Sequence, residues 1–162
     1  MAAPTIDLTT GEGASAPADT NPSPYFTQIR KVDFSVHALA QNETLALFQA
    51  PKGCDVDAVD YEIVTPEGAT CLVDCGDQKV SDDSVVDADG YGDDWDFNAA
   101  AGTKGTSKTR VLSADATPVF VPAYGAGKTY TSDASEIVLT AKSAGGIGTA
   151  VVIFRAHMRM VR

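Results

Sequence analysis

An all-β fold is what this sequence predicts: a single-domain antiparallel β-sandwich or jelly roll behind an extended N-terminal arm. Three observations carry that expectation. Apolar and polar residues alternate with a period of two through most of the chain, the pattern of strands buried on one face. Gly, Pro and Asp clusters punctuate the chain at short intervals. No stretch shows a convincing helical period, so the strands must bury their apolar faces against one another in stacked sheets. A chain of 162 residues suits one domain, and it is long enough to fold without a metal or disulfide staple.

The arm comes first, over residues 1–26. Met1–Pro24 hold four of the eight prolines (Pro4, Pro17, Pro22, Pro24) among Ala, Ser, Thr and Gly, with no Lys or Arg. A stretch without basic residues or an apolar h-region is not a targeting peptide, and it buries too little apolar surface to offset its ordering entropy. The sandwich then occupies 27–162. In 31–39 (KVDFSVHAL), Val32, Phe34, Val36 and Ala38 share one face. The segment 44–50 (TLALFQA) is a second strand, ended by Pro51-Lys52-Gly53. The segment 54–65 (CDVDAVDYEIVT) alternates more loosely, and after Pro66-Glu67-Gly68 the segment 69–75 returns as its hairpin partner. An acidic loop is expected near 76–98, because nine Asp and one Lys fall within 74–96; Trp95 and Phe97 would anchor it to the sandwich. Residues 102–109 continue as loop. Further strands are expected at 110–112, 119–121, 128–131 and 136–141. The last, 149–161, carries Ala150, Val152, Phe154, Ala156, Met158 and Met160 on one face. Its β-branched run Val151-Val152-Ile153 favours strand over helix.

Charge narrows the function. Twelve Lys+Arg against twenty-two Asp+Glu leave −10, which opposes binding to nucleic acid and to an anionic membrane surface. No apolar run approaches the length that spans a bilayer. Three cysteines, Cys54, Cys71 and Cys75, fit small hydrophobes in a reducing compartment rather than a zinc or redox motif. Asp87–Asp96 has clustered carboxylates of the kind calcium takes, but the EF-hand register fails at Tyr91 and Asn98. Gly125-Ala126-Gly127-Lys128-Thr129 ends like a P-loop, yet Pro122 stands where its first glycine belongs. His37 and His157 sit on exposed-type strand faces without a nucleophile motif. Arg155, His157, Arg159 and Arg162 form a basic stripe, either a solvated face balancing nearby acids or an intersubunit contact. No residue is assigned a catalytic, cofactor-binding or metal-ligating role, and no enzyme activity or cofactor is expected.

Three runs carry a family resemblance. One is Leu47-Phe48-Gln49-Ala50-Pro51-Lys52-Gly53 followed by 56–68 (VDAVDYEIVTPEG). Another is Cys71-Leu72-Val73-Asp74-Cys75-Gly76-Asp77 leading to Asp89-Gly90-Tyr91 and Asp96-Phe97-Asn98. The third is Lys128-Thr129-Tyr130-Thr131 before Glu136–Thr140, a Gly-rich turn and a long terminal strand. Together they resemble the capsid decoration (cement) proteins of tailed bacteriophages, over roughly 46–161. The resemblance implies a non-enzymatic virion protein, made in the host bacterial cytoplasm and placed on the capsid surface. Its partners would be the major capsid protein and itself, as a homotrimer at local three-fold positions, with no nucleic acid and no membrane. A phage tail or baseplate component is the alternative. So is a carbohydrate-binding sandwich, with Tyr91, Trp95 and Tyr124 as stacking faces and calcium in the acidic loops.

Overall fold

The computed structural model describes residues 6–7, 25–107 and 127–161. Among the described residues ten strands follow one another: β1 (Ile6–Asp7), β2 (Tyr25–Asp33), β3 (Thr44–Ala50), β4 (Cys54–Thr65), β5 (Leu72–Lys79), β6 (Val85–Asp96), β7 (Lys104–Thr106), β8 (Lys128–Tyr130), β9 (Ser135–Ala141) and β10 (Val151–Met160). They form two sheets, β1-β3-β9-β5-β6 and β2-β10-β4-β7, with β8 also paired to β4. Every pairing is antiparallel except β1 on β3. The pairs nest: β5 with β6, β4 with β7 and β8, β3 with β9, β2 with β10. That nesting is a long hairpin rolled up on itself, the jelly roll.

The core lies between the sheets. One sheet supplies Leu45, Leu47, Phe48, Val73, Ile137 and Leu139, the other Val32, Val56, Val59, Tyr61, Ile63, Val152, Phe154 and Met158. Each fully buried side chain of this size contributes about 1.5–3 kcal/mol. At one end Phe97 touches Phe34, Tyr61 and Phe154, with ring centroids 5.5–6.2 Å apart, and Tyr61 meets Trp95 at 4.7 Å. Trp95 lies so close over Gly92 that a Cβ there would stand 2.2 Å from the indole. Two bulges explain why alternation reads loosely. β3 gains a residue between Ala46 and Phe48, so Leu45 and Leu47 point inward and so do Phe48 and Ala50. β4 gains one at Asp57, which puts Cys54 and Val56, then Val59, Tyr61 and Ile63, on the core side.

Several expectations change. The strand placed over 31–39 lies instead at Tyr25–Asp33, so Tyr25 and Phe26 belong to the sheet rather than to the arm. Asp33 ends it: its carboxylate accepts from the backbone N–H and the hydroxyl of Ser35, a turn that leaves Val36 exposed. The returning strand starts at Leu72 and runs on to Lys79. The acidic loop near 76–98 is mostly strand, the end of β5 and all of β6, joined by a five-residue turn at 80–84. Among the described residues β6 is an edge of its sheet, where the exposed Asp94 and Asp96 oppose edge-to-edge association. A short strand, β7, stands where loop was expected at 102–109. The expected strands at 110–112 and 119–121, the arm apart from Ile6–Asp7, and Arg162 lie outside the described residues. Cys54, Cys71 and Cys75 are buried free thiols, and burial raises Cys54 to about 11 and Cys71 to about 12.

Candidate functional site

The outer face of the β2-β10-β4 sheet gathers the basic stripe. Alternation along β10 points Arg155, His157 and Arg159 outward, and the register sets them beside β4 on one side and β2 on the other. Each meets a carboxylate. Arg155 Nη2 donates to Glu62 Oε2 at 3.0 Å, where Lys104 Nζ also approaches to 3.7 Å. His157 Nε2 lies 2.9 Å from Asp60 Oδ2. Arg159 pairs with Asp55 and donates to the Tyr25 hydroxyl at 3.3 Å. Hydrogen bonding from Thr129 outweighs the opposing effect of burial and, with the Arg159 guanidinium, holds the Asp55 carboxyl below the usual range. The stripe is therefore one side of a cross-strand charge ladder within the chain. Arg162, its fourth member, lies outside the described residues.

His157 is the middle rung. Its Nδ1 shares a hydrogen bond with Thr27 Oγ1 at 3.1 Å, so one imidazole ties β2 to β4 across β10. Asp60 keeps its second oxygen, Oδ1, buried without a hydrogen-bond partner among the described residues. A hydroxyl, an imidazole and a carboxylate in line share the connectivity of an acyl-transfer triad. Here Thr27 stands directly opposite His157, while Asp60, which the register sets opposite Arg155, reaches His157 diagonally across the same pleated face. Beside this row a groove of about 430 Å³ is lined by Tyr25, Phe26, Thr27, Asp57, His157 and Met158. His37 lies in the turn after β2, its backbone N–H donating to the Asp33 carbonyl.

The acidic residues gather elsewhere. Asp74, Asp93 and Asp94 converge closely enough to hold an ion, but the Lys142 ammonium sits among them, 3.1, 2.7 and 2.7 Å from their oxygens. Its bonds to Asp93, Asp94 and Asp74 raise the Lys142 pKa despite partial burial. A cation is thus built into the chain at that position. Asp77, expected in the acidic loop, is fully buried and pairs with Lys128 Nζ at 2.7 Å. That contact links β5 to β8 across the sandwich, beside the Tyr91–Tyr130 hydroxyl pair at 2.8 Å. Lys128 and Thr129, the end of the P-loop-like run, lie on β8, while Gly125 and Ala126 lie outside the described residues. Tyr91 and Trp95 are buried in the core, which removes them as sugar-stacking faces; Tyr124 lies outside the described residues.

Sequence reasoning missed Glu67. This half-buried residue of the β4–β5 turn accepts from the backbone N–H groups of Gly148, Thr149 and Ala150 and from the Thr149 hydroxyl, at 2.7–3.0 Å. Burial raises its pKa, but those four hydrogen bonds outweigh it together and bring the carboxyl down to about 2. Nothing in the local pattern distinguishes this Glu, because its partners lie more than eighty positions away.

No family model and no curated protein matches the sequence. Solved structures share the fold. A chain from the capsid of Ralstonia phage GP4 aligns with a TM-score of 0.62 at 12% identity, covering 97% of this chain and 99% of that one. One from the cyanophage Pam1 capsid asymmetric unit gives 0.57 at 13% identity, over 90% and 91%. One from the acidic stable capsid structure of Helicobacter pylori bacteriophage KHP30 gives 0.54 at 14% identity, over 86% and 90%.

Proposed function

We propose that this chain is a structural, non-enzymatic protein of a bacteriophage virion, bound to the outside of the capsid shell as a decoration protein. The observation that carries the reading is the likeness along nearly the whole length of both chains to chains in three phage capsids. A jelly roll whose polar groups are tied to one another, ladder rung by ladder rung, suits a rigid brick more than a pocketed catalyst. In this reading its partners are the major capsid protein and two further copies of itself, and a −10 charge faces the solvent, where it keeps particles apart. Quantitative mass spectrometry of purified virions tests it. Copy numbers near those of the major capsid protein support a shell-covering role. A handful of copies transfers the chain to the tail or a vertex, and absence from the particle overturns the proposal.

A further inference from the structure

Among the described residues β2 is an edge strand, paired with β10 alone and in register without a shift from Tyr25 to Asp33. In that same register the Phe34 N–H donates to the Ala150 carbonyl, so the even-numbered residues of β2 are the ones bonded to β10. The backbone N–H and C=O groups of Thr27, Ile29 and Lys31 therefore point the other way, to the open side, and meet no partner among the described residues. The side chains match. Tyr25 is 64% and Ile29 61% exposed, the pattern of an edge that pairs with another strand. β6, at an edge of the other sheet, is interrupted by register shifts and carries Asp along its length, whereas 25–32 holds neither Pro nor an acidic residue.

We propose that β2 pairs antiparallel with β2 of a second copy, about a two-fold axis at Ile29. The outward groups belong to odd-numbered residues, so odd must face odd. With the axis at Ile29, Ile29 faces Ile29 and Thr27 faces Lys31, which pairs all three open residues of both copies, and each facing pair exchanges two backbone hydrogen bonds. Gln28 then stands opposite Arg30 and Tyr25 opposite Asp33, so no like charges oppose each other. The strand is thus complementary to itself, which makes a second copy its occupant. The same surface on both copies gives a closed contact, and the sheet β2-β10-β4-β7 runs on across the axis. In the decoration reading this contact joins one group of copies to the next, but it concerns the chain and not the shell.

Sedimentation of the full chain without shell protein tests the contact. Ile29→Pro deletes an outward N–H that the β10 ladder does not use. It is expected to keep a cooperative melt and to lower the oligomer mass at least twofold; a mass equal to the parent's overturns the contact. Oxidation tests the register. Hydrogen-bonded antiparallel partners have Cα atoms about 5.5 Å apart, within disulfide range, whereas Thr27 and its own copy would be offset by about 13 Å. Ile29→Cys alone is expected to give a reducible dimer. Thr27→Cys and Lys31→Cys are each expected to stay uncross-linked alone and to give a dimer when mixed. The native cysteines are buried, and the parent chain controls for them. No dimer from Ile29→Cys, or equal dimer from all three single variants, overturns the pairing. Should Ile29→Pro fail to fold, the cross-link pattern decides. A retained Ile29→Cys dimer in a chain that does not bind shells counts against the decoration role alone.

Discussion

Glu67 shows how much one carboxylate can organise. Three consecutive N–H groups and a hydroxyl converge on it, charge-assisted bonds roughly twice as strong as neutral ones. They pin the 142–150 connection beneath the β4–β5 turn. Glu67→Gln is expected to cost about 1–3 kcal/mol at pH 7, read from urea unfolding. Because folding lowers the carboxyl from 4.5 to about 2, its contribution is complete above the unfolded value and fades as pH falls from 4.5 towards 2. The Gln variant should therefore lose less stability than the parent over that interval. Lys142 poses the converse case. Lys142→Met leaves Asp74, Asp93 and Asp94 to repel one another and should lower the melting temperature at pH 7. Acidification that protonates them should narrow the gap to the parent, measured by melts at both pH values.

Between elements, the Asp77–Lys128 pair and the charge ladder differ in environment and so in value. The first joins β5 and β8, with the Asp77 side chain wholly out of solvent. Asp77→Ala should destabilise by about 3–5 kcal/mol by removing the buried carboxylate from the Lys128 ammonium, and adding Lys128→Met should recover part of that loss. Arg155 and Glu62 are more exposed, and Arg155→Ala should cost less than about 1 kcal/mol by the same unfolding measurement. Legibility follows the same division. β3 and β4 are readable to the residue and β9 and β10 nearly so, because their inward positions are apolar and deeply buried. β2 hides because Gln28 and Arg30 occupy inward-side positions at an edge. β6 hides because an edge strand tolerates Asp at outward positions, which composition alone reads as loop. The basic stripe is legible from period two, but its partners on β4 become neighbours only once the register is known.

At the scale of the whole molecule, the described core draws on β2 to β6 and β8 to β10, all of which follow the arm. Deleting residues 1–24 should therefore leave a cooperative thermal transition while weakening association with undecorated capsids, checked by calorimetry and co-sedimentation. Unchanged association would remove the arm from the binding surface. The tailed-phage resemblance anticipated the fold and the kind of particle in which similar chains occur. It rested on short turn motifs, and these could not supply strand order, because pairing in a rolled hairpin is decided by residues far apart in sequence.

The nested pairing has a kinetic consequence. β5 and β6 close across five residues, whereas β3–β9 and β2–β10 close over progressively longer stretches. Loop closure entropy orders these events from the inside outward. Pulse-labelled hydrogen exchange should show amides of the β5–β6 hairpin protected first and those of β2–β10 last. The ladder face then becomes complete only when the rest of the sandwich is already shut, so a newly made chain offers its finished outer surface as the last act of folding.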